Sequence, residues 1–189
     1  MRIVGGQFRG RALATPGDDR TRPTSDRVRE AVFNILTHGV PDFALDGVRV
    51  LDLFAGTGAL GVEALSRGAA YCLFVEEDAQ ARGNIRSNVE TFGLSGITKI
   101  FRRDATALGS AENRGTFGLV FLDPPYGKGL GERALVSAAT GGWLAPDAVA
   151  VMEERKDAAI ALPVGFTEID RRTWGDTQVL LARFSAARH

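Results

Sequence analysis

Apolar and polar positions change period several times along the chain, and the changes mark its elements. Val48-Arg49-Val50-Leu51-Asp52-Leu53 is an apolar run of strand length. Gly56-Thr57-Gly58 makes a turn, and residues 59–67 follow with helical character, closed by Gly68. Residues 71–75 form a second apolar run, ending in Glu76-Glu77-Asp78. A second helix is expected over 79–92, closed by Gly93, and a third strand over 97–101. A fourth strand, 117–122, ends at Asp123; a helix over 130–140 and a fifth strand over 149–152 come next. Residues 166–169 and 178–184 read as late strands with no long helix between them, so they are expected to pair antiparallel.

The first 40 residues follow a different pattern. Residues 1–22 are rich in Arg and Gly, with short β-like runs at 2–4 and 11–14 that suggest a hairpin or an arm. Pro23 then precedes Thr24-Ser25-Asp26, which are good N-cap types. Val28, Ala31, Val32, Ile35 and Leu36 recur at helical spacing until Gly39 and Pro41. Two units are therefore expected: an N-terminal extension, 1–40, and a body, 41–189. In the body, strands alternating with helices imply an α/β fold with a doubly wound, mostly parallel sheet. Such sheets bind ligands beyond the carboxyl ends of their strands, which directs attention to the strand-end acids Asp52, Glu76, Asp104 and Asp123.

Composition changes this picture little. The 189 residues are 44% hydrophobic and 24% charged, and 23 basic residues cancel 23 acidic ones, as in ordinary globular proteins. The distribution is more telling. Up to Arg29 there are seven Arg (2, 9, 11, 20, 22, 27, 29) and three Asp (18, 19, 26), a local excess of 7 − 3 = +4. A basic arm on a neutral body suits phosphate binding, although a solvated flank has the same charge. Arginine in itself says little, because the chain has 20 Arg and 3 Lys throughout. Cys72 is the only cysteine, which rules out an intrachain disulfide and a cysteine-based zinc site. No signal-peptide pattern opens the chain and no apolar run is long enough to span a bilayer, so a soluble, cytoplasmic protein is expected. A monomer is the simplest expectation.

Gly56-Thr57-Gly58-Ala59-Leu60-Gly61 has the form G-x-G-x-x-G after a strand and before a helix, with Glu76 twenty positions after Gly56. That is the dinucleotide fingerprint, so an NAD-dependent oxidoreductase is one reading. Asp52 argues for another. A carboxylate just ahead of the loop opposes an anionic pyrophosphate, which needs bare N–H groups. It attracts the ammonium and sulfonium of S-adenosylmethionine (SAM). The run Asp52-x-Phe54-x-Gly56-x-Gly58 resembles the first motif of class I SAM methyltransferases, with Phe54 where many members have glycine. Glu76 would then hold the ribose hydroxyls, and Asp104 with the Ala105 backbone would meet the adenine.

Asp123-Pro124-Pro125-Tyr126 supplies the candidate chemistry. Prolines lack the N–H donor but keep the carbonyl acceptor. The Asp123 carboxylate and the Pro124 carbonyl can therefore both accept from one planar NH₂ group and free its lone pair for a methyl donor. Tyr126 offers a face for a flipped-out base, worth about 1–3 kcal/mol. The loop serves guanine-N2 and adenine-N6 chemistry equally well. Taken alone, Asp-Pro-Pro-Tyr is as easily a simple turn; the glycine loop and ordered acids upstream favour the chemical reading.

Over nearly its whole length the chain resembles the RsmD-type methyltransferases, which methylate the guanine N2 amine in bacterial 16S ribosomal RNA. The resemblance runs through Met1-Arg2-Ile3-Val4-Gly5-Gly6 with Arg9-Gly10-Arg11, and through the block from Arg22-Pro23-Thr24-Ser25-Asp26 to Glu30 with Phe33-Asn34. It continues through Leu53-Phe54-Ala55-Gly56-Thr57-Gly58-Ala59-Leu60-Gly61, the Asp-Pro-Pro loop and Gly175-Asp176-Thr177. It implies a Rossmann-like, seven-stranded sheet with an antiparallel last strand and SAM as cofactor. It implies the 16S rRNA, the small subunit or an assembly intermediate as partner. Asp123, Pro124 and Tyr126 would be catalytic, Arg2, Arg9, Arg11 and Arg22 phosphate contacts, and Thr24 a neighbour of the cofactor. No metal is implied. His38 and His189 receive no role, and Asn84 and Asn88 are expected to be surface or supporting residues.

Overall fold

The computed structural model describes residues 1–16 and 23–186, without the side chains of residues 23–25. The elements in chain order are α1 (Pro23–His38), β1 (Arg49–Leu53), α2 (Ala59–Ser66), β2 (Tyr71–Val75), α3 (Ala79–Thr91), β3 (Thr98–Phe101) and β4 (Phe117–Leu122). After them come α4 (Leu130–Thr140), β5 (Leu144–Arg155), β6 (Phe166–Trp174) and β7 (Thr177–Phe184). The seven strands form one sheet in the order β3-β2-β1-β4-β5-β7-β6. Strands β1 to β5 pair parallel. β7 runs antiparallel to both neighbours, β5 and β6, and is the reversed strand.

Alternation along the strands sorts the core into two layers. Val50, Phe74, Leu119, Phe121, Val149 and Val151 join the layer that holds Val32, Phe33 and Leu36 of α1, Val62 and Leu65 of α2 and Ile85 of α3. Leu51, Leu53, Val120, Leu122, Ala150 and Met152 face the other way, onto Ala134, Leu135 and Ala138 of α4 and the fully buried Trp143. Helices on both faces are what a sheet buried on both sides requires.

The first residues make an antiparallel bridge, Arg2 with Ala12, closed by Ile3 N–H to Arg11 O at 3.0 Å and Leu13 N–H to Met1 O at 3.0 Å. Ile3 and Leu13 are buried in the α1–α3 layer, so the arm shares the body's core. Gly6 seats its turn. Its φ is +78°, and a Cβ there would stand 1.9 Å from the Ser66 carbonyl oxygen.

Three elements depart from expectation by more than one residue. α1 starts at Pro23, so Thr24-Ser25-Asp26 form its first turn and do not cap it; proline favours the first helical position. β5 begins at Leu144, ahead of a register irregularity in its pairing with β4 and of Asp147 at φ 62°. Pro146-Asp147 reads as a turn in the sequence and masks that start. β6 continues through the charged Asp170-Arg171-Arg172 to Trp174, because an edge strand tolerates and benefits from charge. Among the described residues no helix is long and apolar enough to cross a membrane.

Candidate active site

The strand order reverses direction between β1 and β4, and ligands bind beyond the strand ends at such a point. A cavity of about 890 Å³ lies there, near the top of the range for small-molecule sites. Asp52, Phe54 and Gly56 from the β1 side, Glu76 from β2, and Asp123, Pro124 and Tyr126 from β4 all line it.

Asp52 faces α2 by alternation, and its Oδ2 accepts from Gly61 N–H at 3.1 Å. It is 1% exposed. Burial pushes its pKa from 3.8 up to about 8, against the lowering effect of the Gly61 hydrogen bond and with a further push from Glu76. The close approach depends on Gly61, where a Cβ would stand 2.4 Å from the Phe74 ring and 2.6 Å from Cys72 Sγ. Phe54 has φ 56°, a left-handed conformation uncommon for an aromatic residue. Its ring packs on the α4-side core.

Glu76 stands directly after β2. Its Oε1 accepts from Gly56 N–H at 2.8 Å and its Oε2 from Asp78 N–H at 3.0 Å, so it fixes the glycine turn while lining the cavity. Gly58 lies behind the turn as the cap of α2, with φ 79°, and is not in the lining. Asp104 and Ala105 are not brought to the cavity either. The Asp104 carboxylate accepts from the Thr106 N–H and hydroxyl at 2.8 and 2.7 Å, and these bonds hold its pKa below the usual value. Ala105 is buried in the α4-side core.

The loop after β4 is fastened to the end of β5. Tyr126 donates its hydroxyl to Glu153 Oε1 at 2.7 Å and lies 3.2 Å from Thr177 Oγ1. Burial raises the Tyr126 pKa, and Glu153 adds to that. Gly127 N–H donates to Glu154 Oε1 at 3.1 Å. Asp123 opens onto the cavity and stays exposed there; the partial loss of water around it in the cleft pushes its pKa above the ordinary value, and Glu153, Asp52 and Glu154 add to that.

Acids dominate the walls. Asp52, Glu76, Glu77 and Asp78 line one side, Asp123, Glu153 and Asp176 the other, and among the described residues the only Arg or Lys in the lining is Arg29. Its guanidinium is turned away, to Glu63 at 3.3 Å, Asp26 at 3.1 Å and the Arg2 carbonyl. Such walls repel a pyrophosphate and attract a ligand bearing an ammonium and a sulfonium. The donor set therefore fits SAM and disfavours NAD.

In the arm, Arg2 is exposed and donates to Gly10 O at 2.7 Å, and Arg9 is exposed. Arg11 is engaged: it lies 5.3 Å from the Phe8 ring and 4.5 Å from that of Phe92, and donates to Thr91 O at 3.1 Å. Arg22, the Thr24 side chain and His189 lie outside the described residues.

Two residues carry more than the sequence suggested. Glu153, beside Tyr126, was findable: it directly follows the expected fifth strand, as Asp123 follows the fourth. Asn88 is 1% exposed and joins the arm to the glycine turn. Its Oδ1 accepts from Ala14 N–H at 2.7 Å, and its Nδ2 donates to Ala14 O at 3.2 Å and Thr57 O at 2.9 Å. No local pattern marks a contact between residues 74 and 31 positions apart.

A parallel sheet with one reversed strand beside its last edge, opening at the switch point on a cavity suited to SAM, is the architecture of the class I SAM-dependent methyltransferases. The family model described as "Conserved hypothetical protein 95" matches residues 1–183. The protein named "Ribosomal RNA small subunit methyltransferase D" in Haemophilus influenzae is 34% identical over 93% of this chain and 89% of its own. Its namesake in Escherichia coli strain K12 is 38% identical over 81% of this chain and 74% of its own. The solved structure of yhhF from Escherichia coli superposes with a TM-score of 0.84 at 34% identity, covering 99% of both chains. The chain belongs to this methyltransferase family, the RsmD family.

Proposed function

We propose that the protein methylates the exocyclic N2 amine of a guanine in 16S rRNA of the bacterial small ribosomal subunit, using SAM. One observation supports this above the others. The paired acceptors of Asp123 and Pro124 open onto the same acid-walled cavity as the glycine turn, so cofactor and amine would meet in one chamber. The names of the relatives, ribosomal RNA small subunit methyltransferases, supply the RNA.

SAM supplies an electrophilic methyl carbon. Every other part falls to this chain. Asp52 attracts the cationic end of the cofactor, Glu76 takes the ribose hydroxyls, and Phe54, Gly56 and Gly58 shape the turn between them. Asp104 and Ala105 would reach the adenine only from outside the present lining. Asp123 and Pro124 accept from the amine and turn its lone pair toward the methyl carbon, and Tyr126 stacks on the base. Asp123 also stands where it can receive the proton the amine sheds. Positioning of this kind supplies much of an enzyme's rate gain. The extension, 1–40, serves as the RNA-holding unit and 41–189 as the catalytic one, with Arg2, Arg9 and Arg22 as phosphate contacts. Arg11 would have to leave its two rings to join them. The protein acts in the cytoplasm as a monomer on rRNA, the subunit or an assembly intermediate.

Incubation with labelled SAM and under-methylated small subunits, followed by nucleoside analysis, tests the reading. Label is expected in N2-methylguanosine. Label in N6-methyladenosine, or none in N2-methylguanosine, would refute it.

A further inference from the structure

The base side of the cavity contains a carboxylate that the Asp-Pro-Pro-Tyr loop does not supply. Leu122 of β4 pairs with Met152 of β5, so the next residues on these parallel strands, Asp123 and Glu153, stand side by side. Neighbouring strands lie about 4.8 Å apart, which puts both carboxyl groups within reach of one flat base. Alternation along β5 places Val149 and Val151 in the α1–α3 layer, and Glu153 follows them to the side where Asp52 lies. Glu153 Oε1 takes the Tyr126 hydroxyl at 2.7 Å. A carboxylate has two oxygens and about four acceptor sites, so the group can meet a further donor.

Bases with an exocyclic amine differ at the ring nitrogen beside it. Guanine carries N1–H, a second donor. Adenine N1 and cytosine N3 are acceptors. Two adjacent carboxyl groups match guanine's donor–donor edge, whereas a ring acceptor against Glu153 would leave both groups unpaired. We propose that Glu153 is a specificity-determining residue, whose carboxylate accepts the N1–H of guanine while Asp123 holds the neighbouring amine. This rests on the reading of the cleft as a base-amine methyltransferase site.

The test uses the shortest small-subunit RNA fragment, or the reconstituted subunit, that the wild-type protein methylates. The RNA is made with either guanine or 2-aminopurine at the target. 2-Aminopurine keeps the 2-amine but has an acceptor at N1. Wild type should favour guanine by about tenfold to a hundredfold in kcat/KM. Glu153→Gln can still accept from Tyr126 and can also donate an amide N–H to 2-aminopurine N1, so its preference should fall to parity or reverse. Tyr126→Phe should lose rate on both bases and keep the wild-type preference. An unchanged preference in Glu153→Gln, with or without an equal loss of rate on both bases, would overturn the proposal. So would a change of preference in Tyr126→Phe as large as in Glu153→Gln, because Glu153 would then act only through the tyrosine. If the wild type methylates no guanine, the parent reading fails, a result distinct from all of these.

Discussion

Asp52 is held neutral by the same burial that would make it valuable to a cation. Its carboxyl ionises at 3.8 in the unfolded chain and at about 8 in the fold. Stability from this group is therefore full below about pH 4 and declines as pH rises through about 8. Asp52→Asn should flatten that decline, so that thermal unfolding between pH 5 and 9 varies less than in wild type. A cation in the cleft reverses the preference and favours the ionised form. SAM binding should thus release up to about one proton near pH 7 and tighten with rising pH, both lost in Asp52→Asn. Calorimetry in two buffers of different ionisation enthalpy reads this directly. Asp123 calls for a different experiment. Asp123→Ala should leave SAM affinity within a few-fold of wild type and lower turnover by about 10²-fold or more, measured with labelled SAM on under-methylated subunits. Equal losses of both would show that Asp123 holds the cofactor.

At the scale of elements, α2 is the piece most tightly specified. It places Gly61 N–H on Asp52 and rests directly on β2 through the missing Gly61 side chain. Gly61→Ala should cost about 1–3 kcal/mol by overpacking, read as a lowered denaturation midpoint, with weaker SAM binding because the added methyl pushes α2, and with it the residue-61 N–H, away from Asp52. Elements of this kind were legible in the sequence. Residues 71–75, 117–122 and 130–140 were marked by apolar period and bounded by glycine or acid, and the structure gives them the same limits. The early start of β5 and the long β6 were not legible, since Pro146-Asp147 imitates a turn and an edge strand needs no alternation. The site divides the same way. Asp52, Glu76 and Asp123 were visible because strand ends fix where their side chains go. Asp104 falls away from the cavity because two residues separate it from Phe101, the last of β3, and Thr106 takes its carboxylate. Gly56 and Gly58 were read together, yet only Gly56 lines the cavity.

Across the whole molecule, the arm, α1 and the glycine turn are joined by buried polar groups. Glu63, fully buried in α2, accepts from Val4 N–H at 2.9 Å and from Arg29 at 3.3 Å. Asn88 ties Ala14 to Thr57. Asn88→Ala should leave Ala14 and Thr57 unsatisfied and cost about 1–3 kcal/mol. Limited proteolysis should then cut the arm faster, and SAM should bind less tightly; a change in one without the other would mean that the two are independently held. The amide has a consequence for the order of events. A group that steadies two segments at once makes their occupancies interdependent, and equilibrium linkage runs equally in both directions. If RNA on the arm firms the turn, the cofactor must raise the affinity for RNA by the same factor. A charged enzyme would then seek out its target, and a spent one would let go more readily, without any moving part beyond the ordering of a few backbone groups around Asn88.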